Sequence, residues 1–257
     1  MPRELSTKDI NKAIRKLERP PQPHNFVRNI FNDTDKTARS LVRLALNFPT
    51  VTYLTGTKVA KDCIDLGLDD VTALNAVRTK GAATSRSHNE EFLRAFLRAK
   101  EELRLSGHRT FDQLILPYRV SSSIKIPVKP LTTILDGGKF RTVSIAGWAS
   151  VPFDDFRWRL LFSIYEDAVF SLEDFRDAKG EFYGFPRRSK DDRASRYPLL
   201  AQRGDFELFT SAELREIMDA YLVGLEKAKK ILRAMPVSEH RGETTTTATD
   251  DATLWLF

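Results

Sequence analysis

The residues of this chain that could do chemistry fall into three sets: paired acids, four histidines with one cysteine, and lysines and arginines that are denser in the first half. Two carboxylates on one face can hold a divalent cation, which lowers the pKa of a bound water for phosphodiester hydrolysis. The available acids are Asp154-Asp155, Glu166-Asp167, Glu173-Asp174, and Asp205 with Glu207. Adjacent residues on a helix point in different directions, so most of these pairs cannot share an ion. Asp205 and Glu207 flank Phe206 and would share a face if that segment were a strand. His24, His88, His108 and His240 lie in expected linkers, caps or the tail, none at His-x-x-x-His spacing, so neither zinc nor another metal is expected. Cys63 has no activating neighbour and reads as a small buried hydrophobe. Gly-x-Ser-x-Gly, the P-loop and Gly-x-Gly-x-x-Gly are absent, which removes support from acyl-transfer and nucleotide chemistry and leaves no cofactor and no complete catalytic set.

The cations are the more informative set. Residues 1–110 hold 20 Lys and Arg against 13 Asp and Glu, whereas 111–257 hold 21 against 22, so the net charge of +6 belongs to the first half. A pI near 9.4 fits a polyanionic partner, DNA or RNA. The stretch from Thr55 to Ser87 supplies Lys58, Lys61, Arg78, Lys80 and Arg86, with Thr72 and Asn75 able to reach base edges if Asp70 to Thr79 were the recognition helix of a helix-turn-helix. Asp69 and Asp70 at its leading end would repel phosphate, and a plain helical hairpin packed on a helix from Ser87 to Leu105 explains the same pattern. A second basic stretch, "RRSKDDRASR", reads as an exposed loop carrying Arg187, Arg188, Lys190, Arg193 and Arg196.

The elements that must position these groups change character near residue 108. Before it the pattern is helical. Ser6 caps a segment to about Leu17, "PPQPHN" breaks it, and Asp33 or Thr34 caps the next. Thr57 to Leu66 and Asp70 to Thr79 follow, joined through Gly67, and after the "KGAATSRS" loop Ser87 to Glu90 forms a capping box for an amphipathic helix. Beyond it, Leu114 to Val120, Ile124 to Val128, Leu131 to Leu135 and Phe140 to Ala146 are short β-branched and aliphatic runs, with Gly137-Gly138 suited to a two-residue hairpin. Phe156 to Phe170 reads as a helix, "EFYGFP" and "FELF" as strands, and Thr210 to Glu213 as a second capping box opening a long helix. The expected class is α+β: an arm and linker over 1–25, a helical region over 26–107, then a small mixed or antiparallel sheet flanked by helices over 108–236, and a flexible tail from 237 to 257.

In its order of elements, over about 100 residues, this chain resembles the core of the PD-(D/E)xK nuclease superfamily. That resemblance implies a metal-binding hairpin with an Asp on one strand and acid-x-Lys on the next. Here Pro130-Leu131 stands where Pro-Asp would fall and Ser144-Ile145-Ala146 where acid-x-Lys would fall, so the resemblance implies a hairpin without its catalytic groups.

One cysteine permits no internal disulfide, no apolar leader opens the sequence, and no run approaches the ~18 to 20 apolar residues of a spanning helix, so a cytoplasmic protein without membrane contact is expected. The tail ends in Leu254, Trp255, Leu256 and Phe257, an apolar tip that could seat in a protein partner or a second copy, or fold back on its own domain. The function expected from these features is a non-enzymatic, nucleic-acid-associated or complex-forming protein. The alternatives are a metal-dependent phosphodiesterase with a non-standard carboxylate set and an interaction subunit engaged through the tip.

Overall fold

A computed structural model describes residues 5–46, 51–105, 114–189 and 191–236. The architecture is α+β, with a four-stranded mixed sheet, a separate two-stranded sheet and eight α-helices among the described residues. The chain divides into two compact units that are discontinuous in sequence. Their limits are not those of a helical region followed by a sheet domain. Among the described residues, the first contains 5–46, 119–127 and 210–236; the second contains 51–105, 114–118, 128–189 and 191–209.

In the first unit α1 (Thr7–Leu17), α2 (Pro23–Val27), α3 (Thr34–Leu46) and α8 (Ser211–Arg233) pack together, with α8 along α3 and α1 against both. Ser6 caps α1 and a capping box of Thr210 with Glu213 opens α8, as the sequence implied; the structure adds that Asp9 completes a second box with Ser6. The segment over 1–25 is no free arm, because Ile10, Ala13, Ile14 and Leu17 are buried on one stripe of α1. Nor does "PPQPHN" merely interrupt the helices: Pro23 occupies the first turn of α2, where a missing N–H costs nothing. Phe26 meets Tyr221 edge-on with centroids 4.9 Å apart. Gly224 lets α8 approach α3, since a Cβ there would lie 2.9 Å from Thr37 Cγ2 and 3.2 Å from the Thr34 carbonyl.

In the second unit, helices α4 (Leu54–Asp65), α5 (Asp70–Thr79) and α6 (Ala83–Ala99) cover one face of the sheet. The sheet runs β3 (Thr132–Asp136), β4 (Lys139–Ala146), β5 (Lys179–Gly184), β6 (Leu199–Gln202), with β4 and β5 parallel and the outer pairs antiparallel. The helix α7 (Asp155–Tyr165) covers the opposite face. The alternation of the strands explains this layering. Val143, Ile145, Tyr183 and Phe185 join Phe92 and Phe96 of α6 in one buried cluster, whereas Ser144 bonds Tyr165 of α7 at 2.9 Å and Phe182 meets Trp158. Gly137 and Gly138, at φ of 58° and 79°, close the β3–β4 hairpin as expected. The short strands β1 (Leu116–Arg119) and β2 (Lys125–Val128) form the second sheet.

Three local expectations are corrected. The helix expected from Ser87 begins at Ala83, within the supposed loop, because Gly81 at φ 86° already turns the chain and Glu90 bonds arginines instead of returning to Ser87. "FELF" is not a strand: Phe206 stacks on Trp158 and Phe162, and Leu199–Gln202 pairs with β5 instead. The helix from Phe156 closes in a wider π turn over Glu166–Phe170, held by the Arg203–Glu166 ion pair at 2.5 Å.

Two predictions follow from packing and burial in the first unit. Gly224→Ala lowers the unfolding free energy by about 1 to 3 kcal/mol, because the methyl group meets buried Thr37, although helix propensity alone would favour alanine by about 1 kcal/mol; a urea titration reads the sign. For His24, burial and then the Arg28 charge push the imidazole down to about 4. The unfolded chain therefore binds the extra proton first as pH falls below the ordinary value, and stability declines between about pH 6.5 and 4. Unfolding free energies from urea titrations at pH 7.5 and pH 5 should differ by about 1 to 2 kcal/mol, and His24→Gln should flatten the difference.

Candidate functional site

The helix α6 carries two adjacent acids, and each is clasped by two arginines. Glu90 lies on a stripe with Arg86 and Arg94, one turn apart each way. Its carboxylate accepts from Arg78 at 2.7 Å and from Arg94 at 2.7 and 3.1 Å. The side chains of Arg78 and Arg94 are 48% and 47% exposed and Glu90 25%, so guanidinium lies over carboxylate at the surface. The hydrogen bond from Arg78 is the main reason that the Glu90 carboxyl is held below its usual range. Lys80 and Arg86 are exposed beside this pair, with Arg86 donating to the Gly81 carbonyl.

Glu91 points to the carboxyl ends of the parallel strands. Arg187, three residues past β5, donates to it at 2.6 and 2.5 Å, and Arg196 does so at 2.5 Å. Burial alone would raise the Glu91 carboxyl, but the two guanidiniums outweigh it and hold it low. The remaining Arg196 donors reach the carbonyls of Gly147, Trp148 and Phe185 and the Tyr53 hydroxyl. The side chain of Arg196 has 0% exposure. The expectation that 187–196 is an exposed basic loop is therefore corrected at both ends: a bridge pairs Arg187 with Arg196, and both turn inward to Glu91. Arg188 and Arg193 remain exposed, with Arg188 over the Tyr197 ring at 4.9 Å, and Lys190 lies outside the described residues. His88 sits beside the clasp, edge-on to Tyr53 with its Nδ1 buried; burial and then Arg193 lower its pKa against the opposing pull of Glu91.

On α4, Lys58 is exposed and Lys61 pairs with Asp65. Lys129, which precedes β3, joins them: burial and then repulsion from Lys61 and Lys58 lower its pKa. Sequence reading missed Lys129 because only the fold brings it to α4. In α5, Ala73 and Val77 face the core while Thr72, Asn75 and Arg78 are exposed. Asp69 caps this helix through the amides of Val71 and Thr72, placing its negative charge at the leading end. The three helices pack on one another as a helical hairpin on a third helix.

Three of the acids weighed for metal binding have other partners. Asp205 accepts from the Gln202 amide at 2.7 Å in a turn, Asp154 caps α7, and Glu166 holds Arg203. Among the described residues no three His, Cys, Asp or Glu side chains are grouped for a metal. Cys63 is buried and its thiol is pushed up to about 11. In the hairpin, Ser144 bonds Tyr165, and Thr132 donates to Asp65 of α4 at 2.7 Å. The apolar tip Leu254 to Phe257 lies outside the described residues. Among those described, no helix is long and apolar enough to cross a membrane.

No family model and no curated protein matches this chain. Among solved structures it is similar to one described as the crystal structure of SSO0001, at 13% identity over 72% of this chain and 83% of that one, with a TM-score of 0.31. A likeness at that level supports no statement about fold or activity.

The clasp on Glu91 makes a direct prediction. Glu91→Gln leaves buried guanidiniums without a counter-charge and costs about 3 to 5 kcal/mol, whereas Arg188→Ala, at the exposed part of the same loop, changes stability by less than about 0.5 kcal/mol. Because the folded Glu91 carboxyl titrates below its unfolded value, the wild-type advantage is full above about pH 4.5 and is lost as pH falls through the depressed value. Thermal melts of the three proteins across pH 3 to 7 measure both effects.

Proposed function

We propose that this protein is a non-enzymatic, nucleic-acid-associated protein that holds phosphates with the basic residues of α4 to α6 and the exposed part of the 187–196 loop. The observation that carries this reading is the double clasp: each acid of α6 is matched by two arginines, so the helix surface keeps surplus positive charge where its sequence alone shows charge nearly balanced. A guanidinium has five N–H donors. Glu90 takes one from Arg78 and two from Arg94, which leaves outward donors at about half-exposed side chains. Such donors suit phosphate oxygens, which accept forked hydrogen bonds. Lys80 and Arg86 beside this surface, and Lys58 and Lys61 of α4 with Lys129 from the segment before β3, extend the positive field. The reading assigns it binding without bond cleavage.

Fluorescence anisotropy with labelled duplex DNA, single-stranded DNA and RNA over a salt series tests this. The expected result is affinity that falls steeply as salt rises, with a log–log slope of about −0.7 to −0.9 for each phosphate neutralised. A combined Arg78→Glu, Lys80→Glu, Arg86→Glu variant should bind at least about tenfold more weakly and show a shallower slope. Absence of binding to all three nucleic acids at low salt would overturn the proposal.

A further inference from the structure

Beside the buried clasp stands a side chain that the phosphate-binding reading leaves unassigned. His88 lies on α6 one turn before Glu91, half-buried, with its ring edge-on to Tyr53 at 6.5 Å. Its Nδ1 is buried without a hydrogen-bond partner, and Nε2 is the ring nitrogen left to solvent. A proton on Nδ1 would have no acceptor, so the neutral ring carries its proton on Nε2, as a donor facing outward. The charges acting most strongly on the ring are Arg193, Glu91, Arg187 and Arg196, three positive against one negative. Arg187 and Arg196 are held by Glu91, whereas Arg193 is exposed and has no ion pair among the described residues. Asp191 and Asp192 are exposed in the same loop, the second accepting from the Ala194 amide at 2.9 Å, and neither ranks above those four at the ring. The Tyr53 hydroxyl accepts from Arg196 at 3.1 Å, which leaves its own proton for another acceptor. These groups gather where the parallel strands end: Arg196 bonds the carbonyls of Gly147 and Phe185, one residue past β4 and β5. The crevice beyond the carboxyl ends of parallel strands is where open sheets hold ligands.

We propose that His88, Arg193 and Tyr53 form a subsite for a phosphomonoester, the terminal phosphate of a nucleic-acid strand. The inference rests on the phosphate-binding reading and names the group held at one point of that surface. Charge favours the monoester over an internal diester. Three guanidiniums against one carboxylate leave a surplus at the ring that a terminal phosphate, at about −1.5 to −2, balances and a singly charged diester does not. Geometry favours it too. The monoester offers three terminal oxygens to three kinds of donor, the Nε2–H, the guanidinium and the hydroxyl, and a diester has fewer to give.

The test is fluorescence anisotropy of the full chain with internally labelled oligo(dT), alone and paired with oligo(dA). Each is prepared with a 5′-phosphate, with a 3′-phosphate, and with hydroxyls at both ends in a slightly longer form that matches the total charge. The expected result is about tenfold tighter binding of a phosphorylated form than of its charge-matched control. Arg193→Gln and His88→Gln should each erase that advantage while changing affinity for the hydroxyl-ended form by less than about threefold. Arg193 is exposed, so its variant keeps the test open if the His88 variant fails to fold. In 1H–15N spectra the His88 ring nitrogens, identified by their loss in His88→Gln, should titrate at higher pH once the phosphorylated strand is bound, because a dianion favours the imidazolium. A histidine with only a packing role would show no such shift. Equal affinity of the charge-matched forms, or an advantage that survives both variants, would overturn the subsite and leave phosphate binding standing. Absence of binding to every form at low salt would overturn both.

Discussion

The Arg196 side chain has no exposed surface, and every direction in which its guanidinium points is occupied. Glu91 on α6, two carbonyls after β4, one after β5 and the Tyr53 hydroxyl before α4 all accept from it. A buried ion pair is a poor source of net stability, since desolvation offsets much of the attraction, but it is a strict constraint once its hydrogen bonds are complete. Four segments that are distant in sequence must be in register for this one side chain to be satisfied. A related arrangement lies beyond the end of α6. Arg141 of β4 pairs with Glu181 of β5 at 2.6 Å and donates to the Leu103 and Arg104 carbonyls beyond the helix. One arginine grips the middle of α6 and another the segment past its end, so the helix is fixed to the sheet side at two points.

That rigidity gives the clasped acids their meaning. Glu90 and Glu91 are neighbours in sequence but serve opposite sides: one draws arginines of α5 and α6 to the surface, and the other draws loop arginines into the interior. The buried carboxylate fixes where the loop begins and ends, so the exposed residues between, Arg188 and Arg193 among them, start from a defined base. The β3–β4 hairpin contributes scaffold, with Val143 and Ile145 in the core on one face and Ser144 spent on Tyr165 on the other.

What could be read from the sequence was what local spacing encodes. The cap at Ser6, the capping box at Thr210, the Gly-Gly turn, the β-branched and aliphatic runs of β3 and β4, and the character of α5 each depend on residues within a turn or two. The misreadings came where a distant partner outbid a local one. The Ser87 to Glu90 box fits the rule for a helix start, yet Arg78 takes the glutamate, and buried Asn89 instead bonds the Gly56 amide and the Thr52 carbonyl. Phe206 has strand-like neighbours but is drawn onto Trp158. Arg187 and Arg196 read as solvated because their acid lies 96 and 105 positions away. Lys129 joins Lys58 and Lys61 only through the placement of β3 on α4. Basic character was legible; which cations would be spent internally was not.

The discontinuity of the first unit sets an order in time. Helices α1 to α3 are synthesised early, but their core lacks Leu214, Met218, Tyr221 and Leu225 until α8 emerges. At common elongation rates that interval is roughly 10 to 30 s, during which the apolar stripes of α1 and α3 have no final covering. Every segment of the second unit emerges within it, so the sheet and its helices can close while the first unit waits for its last helix. A ribosome that stalls after β6 would therefore hold a finished sheet unit beside an open set of N-terminal helices, and it is there that a chaperone has something to protect.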